Sequence, residues 1–80
     1  MKFNLIRESN GTREVWHHGT EKECLAELER SAGYLAQAGY YVTTDFNYNA
    51  PEYIGVYFGL VLTHSCNDVL PYTYFLIRTF

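Results

Sequence analysis

The residues that could do chemistry in this 80-residue chain are few. They are His17, His18 and His64, Cys24 and Cys66, Asp68, and the glutamates Glu23, Glu27 and Glu29. A structural zinc site needs paired short spacings of cysteine and histidine. Here there is only His17-His18 and the His64-x-Cys66 pair. Adjacent histidines on a strand point to opposite faces, so they do not share an ion, and Cys24 falls on an apolar helix face. No metal and no other cofactor is expected. Cys66, His64 and Asp68 together invite a thiol-enzyme reading. "HSCND" offers neither an oxyanion-hole glycine nor a helix start to favour a thiolate. The three glutamates sit on a solvated helix beside Lys22 and Arg30, with no apolar pocket to raise a carboxyl pKa. The scattered glycines make no phosphate-cradling loop. The expectation is a protein that is not an enzyme.

Binding chemistry is better supplied. Aromatics are 18% of the chain, with eight tyrosines, five phenylalanines and Trp16. That is more tyrosine than a small core can hide, because each buried hydroxyl needs a partner. Some of these rings are therefore expected at the surface. The net charge is −3, and the six basic residues are dispersed, so there is no patch for a phosphate backbone. Direct nucleic-acid binding is not expected, whereas a protein partner is.

The elements that would position these groups can be read locally. "FNLIRE-SNGT-REVWHH" is a hairpin, with Asn10-Gly11 as its two-residue turn. Counting outward pairs Ser9 with Thr12, Glu8 with Arg13, Arg7 with Glu14, Ile6 with Val15 and Leu5 with Trp16. Thr20 and Glu23 then form a capping box that opens a helix. Cys24, Leu25, Leu28, Ala32, Leu35 and Ala36 share its apolar face, and Gly39 ends it. Gly33 lies inside it.

"YYVTTDFNY" reads as a strand over 40–48. Tyr40, Val42, Phe46 and Tyr48 alternate with Tyr41, Thr43, Asp45 and Asn47. "NAPE" breaks it. The uncharged stretch that follows reads as a central strand, with Ile54, Val56, Phe58, Leu60 and Leu62 facing the core and Tyr53, Gly55, Tyr57 and Gly59 facing out. It is too short to span a bilayer. "YTYFLIRTF" is the last strand. The order β-β-α-β-β-β in a single domain, 1–80, predicts an α+β two-layer fold, an antiparallel sheet with one helix across one face. Leu5, Leu28, Leu35, Val42, Phe46, Val56, Phe58 and Leu60 are the expected core.

On this scheme Tyr41, Tyr53 and Tyr57 face outward, and Tyr72 and Tyr74 could join them. Such a face could stack bases or anchor a protein interface, and the acidic charge favours protein. The tyrosines could also simply cover the sheet, or be buried in a homodimer; monomer and homodimer both stay open. Two cysteines make no disulfide framework, and the N-terminal apolar run is too short for a signal peptide. A cytoplasmic protein is expected.

In general character, the chain resembles the small inhibitors encoded by phages and mobile elements, of which the anti-CRISPR proteins are a group. The features behind the resemblance are the opening hairpin "MKFNLIRESNGTREVW", the acidic helix "TEKECLAELERSAGYLAQAGY" and the tyrosine-rich sheet. It transfers no individual residue. It implies a bacterial-host protein that binds a subunit of a CRISPR effector complex and blocks target-DNA recognition, by DNA mimicry or by obstruction. The residues expected to touch that partner are Glu23, Glu27 and Glu29 on the helix, or Tyr41, Tyr53 and Tyr57 on the sheet. The alternative function is a small homo-oligomeric accessory domain.

Overall fold

The computed structural model describes residues 1–43 and 46–79. Strands β1 (Lys2–Ser9) and β2 (Thr12–Gly19) form the opening hairpin, and helix α1 (Glu21–Gln37) follows. Strands β3 (Tyr40–Thr43), β4 (Val56–His64) and β5 (Tyr72–Thr79) complete an antiparallel sheet in the order β2-β1-β5-β4-β3. The helix carries the chain from one sheet edge to the other and packs on one face, an α+β two-layer fold. Among the described residues, no helix is long and apolar enough to cross a membrane.

The local signals produce the local structure. Asn10 and Gly11 take positive φ, 53° and 76°, as a two-residue hairpin turn of this twist requires. The expected pairs hold from Ser9–Thr12 to Ile6–Val15. They end there: a β-bulge at Trp16 places Leu5 opposite His17 instead. The extra residue bends the end of β2 and sets the indole toward the helix. At the start of α1, the Thr20 hydroxyl accepts from the Glu23 amide while the Glu23 carboxylate accepts from the Thr20 amide, at 3.2 and 2.9 Å. Gly39 follows the helix with φ +99°, and a side chain there would collide with the His64 ring.

The core between helix and sheet contains Phe3, Leu5, Cys24, Leu28, Leu62, Tyr74 and Leu76, with Leu35, Phe58 and Leu60 half-buried at its margin. Three expected members lie elsewhere. Val42 is 53% exposed, because β3 is a short edge strand. Phe46 lies beyond the end of β3, and Val56 pairs with Ile77 on the opposite face. The expected wet-face position Asp45 falls outside the described residues.

The stretch from Phe46 to Gly55 accounts for these departures. After β3 it folds across the second sheet face, where Pro51 starts a single 3-10 turn, Pro51–Tyr53. Tyr53 and Ile54 therefore precede β4 and are not part of it. Phe46 packs against Tyr48, Tyr53 and Phe75 at centroid distances of 4.7, 4.7 and 6.4 Å. The Tyr48 hydroxyl accepts from the Gly59 amide at 3.2 Å and donates to its carbonyl at 3.3 Å. It satisfies the backbone that β3 is too short to reach. β5 is thus covered on both sides, Tyr74 and Leu76 under the helix and Phe75 under this flap.

Candidate functional site: an aromatic groove beside the helix

The loop "HSCND" is a structural clasp. His64 Nε2 lies 2.7 Å from the Ala38 carbonyl, and Nδ1 accepts the Cys66 amide at 2.9 Å. Both ring nitrogens are engaged by backbone, so neither serves the thiol as a base. The Cys66 thiol donates to Asp68 at 2.6 Å and holds that carboxyl below its ordinary range. Cys24 is buried against the carbonyls of Phe3 and Gly19, and burial pushes its thiol pKa up. His18 Nδ1 is 2.7 Å from Asn4 Oδ1. Among the described residues, no three histidines, cysteines or acids come together as a metal site.

The six residues expected at a partner surface are dispersed. Glu23 is engaged in the helix cap, and the Thr20 amide and hydroxyl lower its pKa. Glu27 is paired with Arg30. Glu29 is exposed on the helix, and Tyr41 is exposed on β3. The two remaining tyrosines do not share the outward strand face assigned to them. Tyr53 lies in the flap, 5.5 Å from Phe75, and donates to Glu8 at 2.6 Å. Burial and the hydrogen bond to that carboxylate raise its hydroxyl to about 12. Burial works against the charge of Glu8, but the bonds from Tyr53 and Arg13 prevail and hold its carboxyl below the usual value. Tyr57 is turned to the helix side by a register shift between Val56 and Phe58, 5.1 Å from Phe3 and beneath Arg78 at 5.4 Å. Tyr72 and Tyr74 also face the helix side: Tyr72 packs 5.4 Å from Tyr40, and Tyr74 is buried in the core.

The structure instead gathers Trp16, Arg7, Tyr34, Ser31, Leu35 and Tyr74 around a groove of about 250 Å³. The indole nitrogen of Trp16 donates to the buried Ser31 hydroxyl at 2.7 Å. The Arg7 guanidinium lies 3.9 Å from the indole centroid and 5.3 Å from the Tyr72 ring. Its other partner is Glu14. Desolvation opposes the Arg7 charge, but Glu14 and the adjoining Tyr74 hydroxyl raise its pKa above the ordinary value. Trp16 is 37% exposed and Tyr34, on the helix rim, 70%. The indole is therefore fixed at its polar end and along one face while part of it stays open to solvent. A locked aromatic loses little conformational freedom when a partner covers it, and Trp, Tyr and Arg are the residues enriched at interface hot spots.

Ser31 is the member that the helix pattern missed. It falls one turn from Leu28 and Leu35 on the apolar face, where a buried hydroxyl requires a partner. Trp16 needs an acceptor for its N–H, so the two requirements can be matched across the chain. No protein-family model, curated protein or solved structure matches this chain.

Proposed function

We propose that the chain is a non-enzymatic protein-binding inhibitor, acting on a subunit of a bacterial CRISPR effector complex and blocking recognition of target DNA. The observation that carries the binding part of this reading is the locked, half-exposed Trp16 flanked by Arg7 and Tyr34. The target class rests on the resemblance in size, acidity and element order. Obstruction through protein contact suits the chain better than imitation of DNA. Three carboxylates, those of Glu8, Glu14 and Glu27, are already paired with arginines inside the chain, and a paired carboxylate is a poor stand-in for a phosphate.

The test is target-DNA binding by purified CRISPR effector complexes in a mobility-shift assay, with the protein added in increasing amounts. The expected result is loss of the shifted species for at least one class of complex. Tyr34→Ala and Trp16→Ala should each weaken inhibition, by about 30-fold for a true hot spot. Thermal unfolding checks that each variant is folded, and Tyr34 is exposed enough for its variant to keep the native core. An unaffected shift across the effector classes would remove the inhibitor reading. Inhibition that survives both substitutions would move the contact to another surface.

A further inference from the structure

We infer that β3 is a self-association edge, and that its occupant is β3 of a second copy of this chain, paired antiparallel about a two-fold axis at Tyr41. The inference is independent of the inhibitor reading, which concerns the Trp16 groove. The sheet order leaves two edge strands, β2 and β3. β2 is guarded against pairing: it carries Arg13 and Glu14 and is interrupted by the bulge at Trp16. β3 has neither device. Its residues, Tyr40–Thr43, are uncharged, and its ladder with β4 runs without a register shift. Tyr41 and Val42 are 55% and 53% exposed.

The backbone identifies what this edge takes. The Gly39 carbonyl accepts from the Ser65 amide at 2.9 Å, so residue 39 faces β4. Facing alternates along an antiparallel ladder. Tyr41 and Thr43 therefore turn to β4, and the N–H and C=O of Tyr40 and Val42 turn outward. β4 has the matching parity: Gly59, whose N–H and C=O bind the Tyr48 hydroxyl, lies two residues from Val61, the partner of Thr43. Among the described residues, no group bonds the outward N–H and C=O of Tyr40 and Val42. Alternating donors and acceptors on one edge call for an extended strand.

The residues of the edge select which strand. A two-fold at Tyr41 places Tyr40 opposite Val42 of the second copy, and Val42 opposite Tyr40 of that copy. Both are hydrogen-bonded pairs, so every outward group of each copy is satisfied. Between them Tyr41 meets its own counterpart in the closer, non-hydrogen-bonded pair. The side-chain pairs are aromatic with aromatic and aromatic with β-branched, the combinations that stabilise neighbouring strands. Gly39 of each copy then lies about 13 Å along the strands from that of the other. That is wider than the roughly 8–10 Å between packed helices, which leaves room for both copies of α1. The doubled sheet ends on β2 at both sides, and those guarded edges stop the assembly at two copies.

The experiment is sedimentation velocity on the full chain from about 1 μM to about 1 mM, because an edge of 4 residues makes a small, weak contact. The unaltered chain should shift from the 9.3 kDa monomer toward twice that mass. Val42→Pro removes an outward N–H that the fold does not use, and Tyr41→Lys sets like charges opposite each other at the axis. Each should raise the dimer dissociation constant about 10-fold or more. Val15→Asp, on β2, should dimerise as the unaltered chain does. Thermal melts at low concentration check folding, and Tyr41→Lys, at an exposed site, carries the test if the proline variant does not fold. In a Cys66→Ser background, Tyr41→Cys should cross-link to its own copy and Val42→Cys should not, since of the two only residue 41 faces itself. In hydrogen exchange, the Tyr40 and Val42 amides should gain protection with concentration, while those of Tyr41 and Thr43 are protected throughout. A monomer over the whole range overturns the inference. So does a dimer that tolerates Tyr41→Lys, one lost on Val15→Asp, or one in which the Tyr40 and Val42 amides stay unprotected.

Discussion

Gly59→Ala is expected to destabilise the protein by about 3 kcal/mol, although alanine is ordinarily the better residue inside a strand. An added Cβ at Gly59 would lie 2.6 to 2.7 Å from three atoms of the Phe46 ring. Phe46 has little room to retreat, since Tyr48 and Tyr53 each pack 4.7 Å from it. The ring must leave. Burial of a whole phenylalanine contributes about 1.5–3 kcal/mol; this one is half-buried, so about 1.5 kcal/mol is at stake. Two aromatic pairs add about 0.5–1.5 kcal/mol each. Against this, replacing a strand glycine regains roughly 0.5–1 kcal/mol of backbone entropy. The balance is about 1.5–4 kcal/mol, centred near 3, or a fall in Tm of roughly 12–24 °C at that centre for a domain of this size.

The double-mutant cycle makes the reasoning refutable. With Phe46→Ala already in place, nothing fills the space above Gly59. Gly59→Ala should then be neutral or stabilising, by about 0.5 kcal/mol. Urea titration followed by Trp16 fluorescence reads both backgrounds, and an unchanged m-value keeps the comparison two-state. A cost below 0.5 kcal/mol in the unaltered chain would refute the argument. So would an equal cost in both backgrounds, because the penalty would then belong to the strand and not to the ring.

The remaining predictions concern single contacts. Gly33→Ala should stabilise by about 0.5–1 kcal/mol in urea titration, since a Cβ there meets nothing within 4 Å and glycine is the weaker helix former. Ser31→Ala should cost about 1–3 kcal/mol, because the Trp16 N–H is left in a partly buried site without its acceptor; the tryptophan emission should shift with it. Tyr53 provides a pH test. Its folded pKa of about 12 exceeds the ordinary 10, so the folded state holds the proton more tightly. This stabilisation is full below about pH 10 and is lost as pH rises to about 12. Screening at this half-buried site limits it to about 1–2 kcal/mol. Tyr53→Phe should flatten that alkaline limb in thermal melts.

How much was legible follows from the range of each signal. The Asn10-Gly11 turn, the Thr20–Glu23 cap and the Gly39 stop depend on neighbours within four residues, and all three stand where the sequence places them. So does the two-layer arrangement, because one helix with an apolar stripe and several alternating strands leave few other packings. The strand over 40–48 does not survive past Thr43 in the described residues. Its alternation of aromatic and polar residues is equally good for a flap that lays Phe46 and Tyr53 on a sheet, and Pro51 favours the turn. Periodicity alone does not separate these outcomes.

One bulge and the flap explain why the expected tyrosine face is absent: the register shift at Tyr57 turns that ring to the helix side, and Tyr53 lies in the flap ahead of β4. An inserted residue reverses the facing of everything beyond it on a strand, and no local residue type marks the insertion at Trp16 or Tyr57. Each bulge has the same consequence: it sets an aromatic ring on the helix side against an arginine. Trp16 lies on Arg7 and Tyr57 under Arg78. Arg13 lies against Tyr53 and Phe75 on the opposite face, where the Tyr53–Glu8 bond holds the flap. The surplus of aromatic residues is therefore not a platform on one face of the sheet. Part of it is braced by arginines, and among those rings Trp16 adjoins a groove with a second, highly exposed ring, Tyr34. Partner recognition through rigid aromatics thus points to the Trp16 edge of the helix layer. On the opposite face Tyr53 is engaged in holding the flap, and the exposed apolar side chains include Val15, Tyr41 and Tyr48.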